Sequence, residues 1–139
     1  MASEHIYKQF DSDLEAIRAK VLEMGTLVEE QTANAVKSLL NTDIKLAEEV
    51  MKRDDQINDL EIAIDEETSL LIAKRSPAAG DLRNIMMMLK IITDLERMGD
   101  EAAKIARSTT RIFEDNRMSK PRFTEIKGMA KAVQGMIKT

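Results

Sequence analysis

The 139-residue chain has no cysteine, no tryptophan, two prolines, five glycines and a single histidine. Without cysteine there is no disulfide and no thiolate chemistry, and cysteine-based zinc sites are impossible. That absence is compatible with a reducing cytosol. His5 stands isolated near the N-terminus, with no neighbours that would make it a ligand or a base. Few Pro and Gly mean few breakers, which favours helix. The scattered glycines form neither a phosphate-cradling loop nor a dinucleotide fingerprint. Aromatic residues are 3% of the chain, so the core must be aliphatic. No run of 18 apolar residues exists to span a bilayer. The opening MASEHIYKQFDSD lacks the apolar centre of a signal peptide. A formal net charge of -4 and a pI near 5.2 argue against a general nucleic-acid binder.

What the chain does have is helical periodicity, in segments separated by turn signals. From about Phe10 to Leu40, the residues Leu14, Ile17, Val21, Met24, Val28, Ala35 and Leu39 recur mostly at three- or four-residue steps. Ser12 and Glu15 form a capping box at its start. Asn41-Thr42-Asp43 breaks the pattern, and Asp43 suits the cap of the next helix. A second segment, Ile44 to about Lys74, places Ala47, Val50, Ile57, Leu60, Ile64 and Leu71 on its apolar side. Ser76 and Pro77 then restart the chain as cap and first helical position. A third segment runs from Pro77 to about Phe113 along Leu82, Ile85, Leu89, Ile92, Glu96, Gly99, Ala103 and Ala106. After Ser119-Lys120-Pro121-Arg122 a fourth pattern opens with Ile126, Met129, Ala130, Val133 and Met136. The expected fold class is all-α: an up-down-up three-helix bundle of long antiparallel helices with a truncated fourth helix. Residues 1–118 hold the three-helix bundle and residues 119–139 the truncated fourth helix. The adjacent Met86, Met87 and Met88 cannot all face one core, so the third helix is expected to be buried on two sides, or against a second chain.

Charge is unevenly spread. Asp54 to Glu67 holds seven acidic residues and no basic one, whereas Arg117 to Thr139 holds six Lys or Arg against one Glu. Both stretches are either solvated helix faces or docking surfaces for partners, or for each other, by complementary charge.

The acids also intrude on apolar positions. Glu61 and Asp65 lie four apart in the second helix, and Glu96 and Asp100 lie four apart in the third. Each pair stacks on one helical face beside the stripe that must pack against a neighbour. Such carboxylates suit hard cations: iron, manganese, magnesium or calcium, with zinc less favoured. The alternative is that they are solvated or paired with cations such as Arg83 and Arg97. There is no Glu-x-x-His motif of the di-iron bundles. Ser76 and Ser108 have no His–acid arrangement with them, and a narrow bundle offers no evident substrate cleft. No enzyme is expected.

Three stretches are more specific. DQINDLEIAIDEE from Asp55, AKRSPAAGDLRNI from Ala73 and MMLKIITDLERMGDEAAKIA from Met87 resemble the PhoU family of phosphate-transport accessory and regulatory proteins. The early EAIRAKVLEMGTLVEEQTANAVKSLL is similar in pattern. The resemblance implies two tandem three-helix bundles whose acidic motifs hold metal, reported as iron or zinc clusters. On this chain the motif falls on Glu96 and Asp100, with Asp94 in the same stretch, and on Glu61 and Asp65 in the second helix. Pro77, Asp81, Leu82 and Arg83 would serve capping and helix docking. The resemblance further implies a cytoplasmic negative regulator and protein–protein adaptor. Its partners would be the ATPase of the phosphate ABC transporter and a phosphate-sensing histidine kinase, with no DNA binding. A chain covering one repeat and the start of another is expected to be a fragment, or a short form that completes its fold as a homodimer.

Overall fold

The computed structural model describes residues 2–115, 128–129 and 131–136. The side chain of His5, the break at 119–122 and the apolar position Ile126 lie outside the described residues. Three long helices follow in order: α1 (Ala2–Asn41), α2 (Ile44–Arg75) and α3 (Ala79–Asp115). Each packs against the other two. The described residues 128–129 and 131–136 are helical as well, and no strand occurs among the described residues. The architecture is the expected all-α bundle.

The turns are tight and chemically specific. Asp43 caps α2: its backbone is extended, and its side-chain oxygen accepts from the Leu46 N–H at 3.1 Å. Thr42 before it takes the left-handed conformation, with φ 51°. Ser76, expected to begin α3, instead ends α2. Its φ and ψ of 42° and 63° are left-handed, and its N–H donates to the Ile72 carbonyl at 3.2 Å. This left-handed cap satisfies a carbonyl that the helix end would otherwise leave free, and α3 then opens at Ala79. The proposed box at Ser12 is also displaced, because α1 begins at Ala2 and runs straight through it. No breaker interrupts residues 2–12, and Phe10 is already part of the core.

The core has two unlike halves. One is built of large aliphatic side chains, among them Leu14, Ile17, Met24, Ile57, Ile64, Ile85 and Ile92. The other is rich in small ones: Ala35, Ala47, Ala102 and Ala106, with Val36, Leu39, Val50 and Ile105. Alanine keeps the helix surfaces low, so neighbouring backbones can approach closely. Polar groups are buried in the chain as well. The hydroxyls of Ser38 and Thr109 meet across α1 and α3 at 3.3 Å, and each lies within reach of a carbonyl of its own helix, so one can donate across the seam while the other donates to its own carbonyl. The Gln31 amide donates to the Val50 carbonyl at 2.6 Å, tying α1 to α2. Such bonds offset the cost of removing these groups from water.

Of the methionine run, the single chain covers only one side. Met86 and Met87 are 57% and 59% exposed, and only Met88 is partly buried against the core. Within the described residues, α3 is covered on one side there, not two.

Candidate functional site

The carboxylates converge where α2 and α3 cross at Gly99. A Cβ on Gly99 would lie 3.1 Å from Ile57 Cδ1 and 3.7 Å from Asp54 Oδ1. The missing side chain therefore lets α3 come down onto α2, and the closeness brings the acids of both helices together. From α2 come Asp54 and Glu61, one heptad apart; from α3 come Glu96 and Asp100, one turn apart. All four are half-buried.

Their electrostatics are unfavourable. Burial and then the charges of Asp100 and Asp55 push the Asp54 carboxyl above its ordinary range, partly countered by Arg107. Its Oδ1 is buried without a hydrogen-bond partner. Burial raises Glu61 too, helped by Asp100 and Asp65. Glu96 is raised by burial, by a hydrogen bond with Asp100, and by the charges of Asp100, Glu61 and Asp54. Flanking acids are treated differently. Glu67 pairs with Lys20, Glu30 with Arg53 at 3.4 Å and Glu101 with Lys104 at 3.1 Å. Among the described residues no cation lies within 4.0 Å of a cluster carboxylate. Arg83 and Arg97, candidates for that role, are exposed and take no part.

The sequence-derived set is thus brought together in part. Glu61, Glu96 and Asp100 share one neighbourhood. Asp65 is exposed and reaches it only through Glu61. Asp54 joins instead, and heptad spacing from Glu61 was the signal for it. A seven-residue step returns to nearly the same helical face, within about 20°, while a four-residue step turns about 40° away. Gln31 and Thr68, fully buried polar residues with an unpartnered oxygen each, carry no such signal, because their residue types usually sit at the surface.

The expectation of a bound iron, zinc, manganese or magnesium ion is corrected by this geometry. Among the described residues no three His, Asp or Glu side chains gather in a group able to hold a metal ion. Metal ligands must all lie within about 2.0–2.6 Å of one point. Asp54 and Glu61 are separated by about 10 Å of helix rise, and Asp65 is turned to the surface.

The profile of the PhoU domain matches residues 21–109, which contain all of these acids. The chain belongs to the PhoU family. One PhoU relative, the phosphate-specific transport system accessory protein PhoU homolog of a Burkholderia species, is 51% identical over 112 residues, covering 81% of this chain and 48% of the relative. The Pseudomonas aeruginosa homolog of the same description is 43% identical over 136 residues, covering 97% of this chain and 55% of the relative. The chain thus spans about half the length of these curated relatives. The crystal structure of PhoU from Pseudomonas aeruginosa superposes with a TM-score of 0.85 at 42% identity, over 93% of this chain and 61% of that one. The phosphate transport system regulatory protein PhoU from Streptococcus pneumoniae gives 0.77 at 29% identity, over 93% and 59%. The α1–α3 bundle is therefore a PhoU bundle. No described helix is long and apolar enough to cross a membrane.

Proposed function

We propose that this chain acts in the control of phosphate uptake, as a protein–protein adaptor that restrains the phosphate transporter and its regulon. Its partners are the transporter's ATPase and the phosphate-sensing histidine kinase. The observation that carries this reading is the 51% identity to a phosphate-specific transport system accessory protein. The surface supports it: α2 exposes Asp55, Asp59, Asp65 and Glu66, a row suited to a basic partner. The cluster of Asp54, Glu61, Glu96 and Asp100 adds negative potential beside that row, and this is the role assigned to these acids. Residues 1–118 are read as one repeat and residues 119–139 as the opening of another, as the half-length coverage of the relatives suggests.

The test is binding of the purified chain to the ATPase subunit and to the kinase's soluble part, by calorimetry at low and high salt. Binding to either that weakens when Asp54, Asp55 and Asp59 become Asn is the expected result. In cells lacking their own copy of such a regulator, the chain should also lower phosphate uptake. Absence of binding to both proteins, with uptake unchanged, would remove the adaptor reading.

A further inference from the structure

A groove of about 250 Å³ opens between α1 and α2, bordered by Asp13 and Ile17 from one helix and by Leu70, Leu71, Lys74 and Arg75 from the other. It lies just below the roughly 300–1,000 Å³ that small-molecule pockets span. Ile17 and Leu71 are buried and give it an apolar floor, while Leu70, 56% exposed, adds apolar surface open to solvent. The polar side is unbalanced. Arg75 Nε is buried and has no hydrogen-bond partner. Its one ion pair among the described residues is with Asp13, whose Oδ2 stands 4.0 Å away, beyond hydrogen-bond reach. The other Asp13 oxygen accepts from the Gln9 side chain at 2.9 Å. Lys74 pairs with no carboxylate within 4.0 Å among the described residues.

Cations in a last helical turn ordinarily answer the negative helix end from the surface. Lys74 is exposed and fits that pattern, but Arg75 turns a donor out of water, where an unmade bond costs stability. The group that best matches a guanidinium edge is a carboxylate, through two parallel N–H···O bonds. We propose that this groove binds a small monocarboxylate with an apolar body. Its carboxylate lies on the Nε edge of Arg75, beside Lys74, and its hydrocarbon lies against Ile17, Leu70 and Leu71. The charge of the lining selects a monoanion. Asp13 and Glu67 border the same groove, so a doubly charged anion meets twice the repulsion from them that a monocarboxylate meets. The site lies apart from the carboxylates that meet at Gly99, and its test needs neither transporter nor kinase.

The test titrates hexanoate into the isotope-labelled full chain and follows the Arg75 Nε–H signal by NMR. Hexanoate should shift that signal saturably. It should bind at least about tenfold more tightly than acetate, since each methylene seated on the apolar floor is worth about fourfold. Hexylamine, with the same hydrocarbon and the opposite charge, should leave the signal in place, and so should inorganic phosphate. Arg75→Lys keeps the charge but loses the planar fork, and should weaken hexanoate several-fold. Asp13→Asn removes a competing carboxylate and should tighten it several-fold. Acetate or phosphate as effective as hexanoate would reveal general anion attraction, and hexylamine as effective would reveal apolar contact alone; each overturns the proposal. So does an Asp13→Asn chain that binds no better, or an Arg75→Lys chain that binds as well. Should Arg75→Lys fail to fold, the ligand series on the unaltered chain and the Asp13→Asn variant decide the matter.

Discussion

The two halves of the bundle solve one packing problem in opposite ways. One half fills its interior with isoleucine, leucine and methionine, and two open grooves, beside Leu70 and beside Ile62, are bordered by residues of that half. The other brings its helices together over alanines and threads serine and threonine hydroxyls between them. Large side chains hold helices apart and leave edges for something else to occupy; small ones close the seam and spend their surface on each other. The acidic cluster lies between the two regimes, where Gly99 allows the first close approach of α3 to α2. These two grooves therefore belong to the loosely sealed half.

Substitutions can break or sharpen that contrast. The largest effect should come from Ile64→Ala in the large-residue half, where the side chain is fully buried. Loss of about 2–5 kcal/mol is expected from transfer and cavity together, measured by urea unfolding. The mirror experiment, Ala106→Leu, inserts bulk where none fits. It should cost about 1–3 kcal/mol by forcing the helices apart, while Leu at a position of the open half such as Ala73, which is exposed, should cost little. Equal tolerance at Ala106 and Ala73 would erase the distinction.

At the boundary, Gly99→Ala sets two terms against each other. Alanine favours helix over glycine by about 1 kcal/mol, but its Cβ would press on Ile57 Cδ1 at 3.1 Å. Gly99→Ala should destabilise the native chain slightly and stabilise an Ile57→Val background, in which that methyl is gone. A double-mutant cycle with no coupling would show that the close approach does not constrain the helices.

The smallest effect is one of pH. The Glu96 carboxyl is raised above its ordinary value of 4.5, first by burial and then by Asp100. The folded chain thus holds this proton more tightly than the unfolded chain does. The penalty is absent below the ordinary value, grows between the ordinary value and the raised one, and is complete above the raised one. Glu96→Gln should therefore raise Tm at pH 7, and the gain should shrink toward zero as the medium is acidified below about pH 4. A gain that persists in acid would point to packing instead of charge.

Much of the fold was legible because it rests on periodicity. Leu14, Ile17, Met24, Val28, Ala35 and Leu39 in α1, and Ala47, Val50, Ile57, Ile64 and Leu71 in α2, are buried as their spacing implies. Asp43 caps because an aspartate before a helical run has one obvious task. Ser76 was misread since serine before proline suits a helix start, and its left-handed geometry at a helix end is set by the neighbouring turn. Met86 and Met87 are exposed in the single chain, because hydrophobicity reports a preference for burial, and burial also needs a neighbour. In the acidic site, residues on one helix face could be grouped from spacing, which found Glu61, Glu96 and Asp100. Which of them meet across helices depends on the crossing at Gly99, and this brought in Asp54 while leaving Asp65 outside.

Gln31 has a consequence beyond its one bond. Rows of aliphatic side chains look much alike after a shift of one heptad, so oily contact alone discriminates poorly between alignments of two helices. A buried amide whose Nε2 finds only the Val50 carbonyl, and whose Oε1 finds nothing, does discriminate, because any slip would strand both ends of it in the apolar interior. It works as a detent, fixing where α1 stops along α2. The positions of Asp54 and Glu61 opposite α3 are thereby set from the far side of the bundle.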